Sequence, residues 1–252
     1  MRWHEIATIW TRELKKFWAD PGLIVTSIIV PLMGILIIGF GLNRFVKMPG
    51  LDIEYLDFFG PGAIAVMSIG AAMFVGFSII RDKQGYIKEL LVVPISHYSI
   101  LVGKILSEIT TQVLTLLVSL SIIVFFFMKT NRGVEGVLFC VFFMFLIVFG
   151  FSGFGIVLSS VFKKAKSYNQ IMVIILIPIA FLSGSFFPID VLPESARWLT
   201  FLNPLTYGVD GIRGALIGMT ELPILLDIGF LVVFAVAMLI VGAYFFRRGV
   251  GR

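Results

Sequence analysis

Runs without a single charged residue recur along the chain at Gly22–Leu42, Phe58–Ile80, Ile109–Met128, Gly136–Phe162, Ser167–Ile189 and Ile228–Phe246. A helix rises 1.5 Å per residue, so about 20 apolar residues cross a hydrocarbon core about 30 Å thick. Each run is long enough. The spans drawn from them cover residues 22–42, 58–80, 105–128, 136–162, 167–189 and 228–246. Barrel strands would instead alternate in polarity over about 10 residues, and these runs do not. The pattern predicts an all-α integral membrane protein with six transmembrane helices in one unit, residues 1–252.

Three segments between or before the runs carry a different pattern. In 3–18, Trp3, Ile6, Trp10, Leu14 and Phe17 recur every three or four residues, with Glu5, Arg12, Lys15 and Lys16 on the other face. This is an amphipathic helix suited to a membrane interface or to packing on the protein's own surface. In 82–96, Ile87, Leu90, Leu91 and Pro94 form an apolar stripe beside Lys88 and Glu89. Pro94 stops that helix. Its stripe fits lipid or a partner's groove equally well. In 190–220, Asn203-Pro204 reads as a helix start, and the following run to Gly218 is too short to span. Ser183-Gly184-Ser185 and Pro188 break the fifth span near its end, so a re-entrant helix pair is expected before the sixth span. Asp210 and Arg213, three apart, are placed to pair on one face.

Composition agrees with this reading: 59% of residues are hydrophobic and 14% charged, against about 25% charged in an ordinary soluble domain. The single cysteine, Cys140, excludes a disulfide scaffold. The net charge of +5 resolves into topology once the basic residues are sorted by side. With six spans both termini share a side, and only Arg44, Lys47, Lys129, Arg132, Arg197 and Arg213 face the other. The richer side is expected in the cytoplasm. Nucleic acid is not needed to explain the basic balance.

Several chemistries are missing from the sequence. No G-x-x-x-x-G-K-[ST] is present to cradle phosphates, and His4-Glu5 lacks the second histidine of a zinc site. Gly150-Phe151-Ser152-Gly153 has the look of an intramembrane serine protease motif, but no histidine follows His97. Helix packing by small residues is the better reading. No charged residue stands near the centre of a span, which disfavours an ion-driven transporter. A secondary transporter or channel is nonetheless the alternative to keep in view.

The order of elements resembles the membrane subunit of an ABC-2 type exporter over essentially the whole chain. Two motifs carry the likeness. Lys88-Glu89-Leu90-Leu91-Val92-Val93-Pro94-Ile95-Ser96 with Gly103-Lys104 resembles the family's coupling helix. Ser183-Gly184, Pro188, Leu192-Pro193 and Asn203-Pro204-Leu205-Thr206-Tyr207 with Asp210-Gly211 and Arg213 are similar to its signature after the fifth span. The short loops look most like the daunorubicin-exporter and nodulation-factor-exporter branch.

The resemblance implies a permease without cofactors of its own, with ATP and Mg bound by a separate cytoplasmic ATPase subunit. It implies a second permease copy, identical or related, in the plasma (inner) membrane of a prokaryote. Tyr86, Ile87, Glu89, Leu90, Leu91 and Pro94 would couple to the ATPase, and Pro204, Tyr207, Asp210 and Arg213 would form an outer gate. The uncharged spans favour a hydrophobic or amphipathic cargo: drug, lipid or lipid-linked glycan.

Overall fold

The computed structural model describes residues 3–43, 45–46, 53–83, 97–126, 132–162 and 164–250. Among these, all regular structure is helical: α1 (Trp3–Trp18), α2 (Pro21–Asn43), α3 (Tyr55–Lys83), α4 (His97–Phe126), α5 (Gly133–Val161), α6 (Ala165–Leu182), a 3₁₀ turn at Ile189–Val191, α7 (Glu194–Leu202), α8 (Pro204–Ile217) and α9 (Ile224–Val250). Six of them, α2 to α6 and α9, are long and apolar enough to cross a membrane. The coupling segment Tyr86–Pro94 lies outside the described residues.

Local chemistry sets the boundaries. Asp20 caps α2 by accepting the Leu23 N–H at 3.0 Å, and Pro21 follows at the first helical position. Between α2 and α3, Asn43 donates to Glu54 Oε2 at 3.0 Å and accepts the Leu56 N–H at 3.3 Å. The fifth predicted span ends earlier than its uncharged run, at Leu182, because Ser183-Gly184-Ser185 turns the chain. The third begins earlier, so α4 carries Lys104 and Glu108 within its first half.

In hydrocarbon, helices associate by close packing and not by exclusion of water. Helices α3 and α5 fill the middle of the bundle, with Ile69, Met73 and Ile79 of α3 and Phe143, Met144, Ile147 and Val148 of α5 fully buried. Gly153 of α5 lies against the backbone of Met238 and Leu239 in α9, and Gly242 of α9 against the backbone of Gly153. Any side chain there would meet main chain. Helices α2 and α6 stand at the edge, largely uncovered.

Helix α4 places Ser107, Thr111, Thr115 and Ser119 on one buried face. Their hydroxyls donate to the carbonyls of Lys104, Ser107, Thr111 and Thr115 respectively, at 2.8–3.1 Å. Self-satisfied hydroxyls can sit at membrane depth without a partner helix supplying acceptors.

Helix α1 packs on the protein's own surface, against α4. Ile6 and Ile9 are buried against Gly103 of α4. Ser99 donates to Glu5 at 2.7 Å, and the Trp10 indole to Thr110 at 3.1 Å. Burying an isoleucine fully contributes about 1.5–3 kcal/mol where water is the alternative. Trp3, Trp10 and Trp18 stay exposed beside this face. The expected stripe is therefore split: Ile6 turns inward with Ile9, and the tryptophans face outward.

Candidate functional site

The residues singled out after the fifth span converge at the end of the bundle opposite α1. Asn203 organises the entry. Its Oδ1 accepts the Leu205 N–H at 3.0 Å, capping α8, while its Nδ2 donates to the carbonyl of Ile179 in α6 at 2.7 Å. Pro204 occupies the first helical position, and Gly218 ends the helix in the left-handed region, φ +77°. The N-cap reading of Asn203-Pro204 holds.

Between its caps α8 is buried along its whole length, from Leu205 to Ile217. Two of its hydroxyls reach back over the turn to α7. Tyr207 Oη donates to the Phe201 carbonyl at 2.8 Å and Thr206 to the Thr200 carbonyl at 2.7 Å. The Tyr207 ring stacks on Phe230 of α9, centroids 4.0 Å apart. Helix α7 thus leans on α8, leaving Trp198, Phe201 and Leu202 exposed.

The expected pairing of Asp210 with Arg213 is corrected by the geometry. Asp210 spends its two oxygens on the N–H groups of Glu221 and Leu222, at 2.8 and 2.9 Å, closing the turn after α8. Arg213 Nη2 donates to the Gly184 carbonyl at 2.8 Å, and its guanidinium lies 3.9 Å over the Phe58 ring of α3. Spacing of three allows the pair, but nearer partners claim both groups: a backbone turn takes the acid, and a ring plus a carbonyl take the base. Burial pulls the Arg213 guanidinium down to about 10, with Glu221 and then Asp210 acting against that shift.

The turn after α6 is held from several directions. Ser183 and Ser185 hydroxyls bond at 2.6 Å, and Gly184 has φ +75°. Tyr55 Oη of α3 donates to the Phe186 carbonyl at 3.3 Å. Gly62 of α3 approaches so closely that a Cβ there would stand 2.6–2.7 Å from the Ser185 carbonyl oxygen and Cα. Pro204, Tyr207, Asp210 and Arg213 are thus carried on one helix, but only Asp210 and Arg213 line the crevice bordered by Ser183, Thr206 and Glu221, while Tyr207 stacks on Phe230. The coupling residues Tyr86, Ile87, Glu89, Leu90, Leu91 and Pro94 lie outside the described residues.

Three polar residues take buried positions that the sequence reading did not assign. Asp227, in the first turn of α9, is fully buried next to Asp210. Lys104 is 3% exposed and donates to Ser78 of α3 at 3.0 Å. Tyr168 of α6 is buried and donates to the Met73 carbonyl at 2.6 Å. Only Lys104 left a signal, the Gly103-Lys104 pair beside the coupling motif. Ser152 is fully buried with no hydrogen-bond partner among the described residues. No group of three His, Cys, Asp or Glu side chains converges as a metal site among them.

Six helices apolar and long enough to cross a membrane, with the capped and buried α8 at one end of the bundle, make a multi-pass membrane unit. The profile of the ABC-2 type transporter family matches residues 4–217, and the chain belongs to that family. It is 29% identical to "Inner membrane transport permease YadH" of Escherichia coli K12, across 99% of this chain and 97% of that one. It is also 27% identical to "Putative transport permease ycf38" of Cyanophora paradoxa over 77% of this chain and 67% of the relative. "Probable multidrug ABC transporter permease YbhR" of E. coli is 25% identical over 63% and 43%. The chain is a membrane subunit of an ABC transporter.

Proposed function

We propose that this permease moves a hydrophobic or amphipathic molecule outward across a prokaryotic inner membrane, with both its termini in the cytoplasm. The observation that carries the cargo class is where the spans keep their charges. Among the described residues, Lys104 and Glu108 lie in the half of α4 nearer α1, and Asp210, Arg213 and Asp227 gather at the opposite end. A path between such spans offers no midplane charge to a hydrated ion. The cargo reading covers drugs, lipids and lipid-linked glycans, and the multidrug name of one relative lends support to the first.

A separate ATPase subunit supplies the energy, docked on the segment around Tyr86–Pro94, and ATP and Mg belong to that subunit. A second permease copy completes the path. The uncovered faces of α2 and α6 support this, with Ile29, Val30 and Ile37 on one and Ile174, Ile177 and Phe181 on the other exposed. The re-entrant pair α7–α8, through Pro204, Tyr207, Asp210 and Arg213, serves as the outer gate.

Reconstitution with a candidate partner ATPase tests the reading. Hydrolysis should rise with lipophilic compounds, and compound should appear on the side opposite added ATP. Transport by the chain alone under an ion gradient would sink it in favour of a secondary transporter.

A further inference from the structure

Gly103 and Lys104, which close the motif resembling a coupling helix, are both buried on α4 and meet two different neighbours. A Cβ on Gly103 would stand 2.9 Å from two side-chain atoms of Ile9 and 3.1 Å from the Ile6 carbonyl oxygen, so α1 rests directly on α4 there. Ser99 and Thr110 fasten α1 before and after this level, through Glu5 and Trp10. Lys104, the next residue round the helix, reaches α3 instead. It is 3% exposed and donates to Ser78 Oγ at 3.0 Å, and Ser78 is 5% exposed.

The place of this bond along the helices gives it a consequence. At 1.5 Å per residue, Ser78 stands about 8 Å before the end of α3 and Lys104 about 10 Å after the start of α4. Residues 84–96 connect those two ends. A displacement of that segment reaches the spans through these two helices. An ammonium shut off from water loses more than a neutral group when an acceptor is withdrawn, so parting α3 from α4 at this level is costly. A push that cannot part the helices has to move them together, with α1 carried on Gly103.

We propose, resting on the docking of an ATPase around Tyr86–Pro94, that Lys104 is a positioning residue for energy coupling. Through Ser78 it holds α3 to α4, so that motion of the ATPase moves α1, α3 and α4 as one unit. Without the bond, the same motion is spent on spreading α3 from α4 and reaches the outer half of the bundle weakened.

ATP hydrolysis by the full permease assembled with a partner ATPase in proteoliposomes tests this, with the lipophilic dye rhodamine 6G as probe. In Lys104→Met and in Ser78→Ala the ATPase should still copurify, while the dye-stimulated rise in hydrolysis falls about five-fold or more, the low end of coupling between sites. Adding Ser78→Ala to Lys104→Met should cost nothing further, since the bond is already gone. Lys104→Arg should regain part of the response, because it keeps a charged donor. An unchanged rise in Lys104→Met overturns the proposal, as does a further loss when Ser78→Ala is added to it. So does a lower thermal midpoint with the rise intact, which would leave Lys104 a packing residue alone. Should Lys104→Met fail to fold, Ser78→Ala decides, because it removes a single oxygen. Failure of the ATPase to bind the wild type would show before any variant is made, and would sink the docking reading and the proposal with it.

Discussion

Arg213 reaches 29 residues back along the chain to donate to the carbonyl of Gly184 at 2.8 Å. The same guanidinium covers the Phe58 ring at 3.9 Å, so one side chain ties α8, the turn after α6 and α3 together. A planar cation that stacks and donates at once cannot be replaced by an ammonium.

Arg213→Ala should therefore lower the thermal midpoint by the equivalent of about 1–3 kcal/mol, the range for stranding a buried hydrogen-bond partner. Arg213→Lys should recover only part of it, because lysine keeps the charge and loses the stacking. Differential scanning fluorimetry in detergent reads both. Equal stability of lysine and alanine variants would mean that the stack and not the charge carries the effect.

Gly62 makes a sharper steric test. A methyl group there meets the Ser185 backbone, which the surrounding hydrogen bonds hold in place. Gly62→Ala should cost about 1–3 kcal/mol through overpacking. Gly70→Ala, on the same helix with nothing within 4 Å of the added carbon, should be neutral.

Asn203→Ala removes an N-cap and the amide bond to Ile179 in one change. A cap alone is worth about 0.5–2 kcal/mol. Asn203→Ser keeps an N-cap acceptor and deletes the donor to Ile179, so its thermal midpoint should fall between those of wild type and alanine.

Tyr168→Phe deletes a hydroxyl that donates to a helix carbonyl at 2.6 Å. A loss near 1 kcal/mol is expected, seen as a lower midpoint with an unchanged circular dichroism spectrum.

Glu89→Arg reverses a charge in the segment assigned to ATPase docking. The ATPase should fail to copurify, or should hydrolyse ATP without moving substrate. Wild-type transport by this variant would place the docking surface elsewhere.

The element pattern was legible because hydrophobic run length is a property of the sequence alone, and so was the start of α8, where Asn203 and Pro204 act on their immediate neighbours. Direction was not. Asp227 borders the uncharged run at Ile228 and reads as an end-of-span charge, whereas α9 turns it inward onto Asp210. Tyr168 carries no pattern of its own, and only the placement of α6 against α3 sends it to Met73. The Asp210–Arg213 pair failed for the opposite reason. Spacing sees only the two partners, and competitors far away in sequence, Gly184 and Phe58, won.

The Gly153–Gly242 seam has a mechanical meaning. Helices slide when side-chain ridges hop from one groove to the next. Where main chain rests on main chain there are few ridges to hop, so the seam at Gly153 and Gly242 resists sliding of α5 along α9.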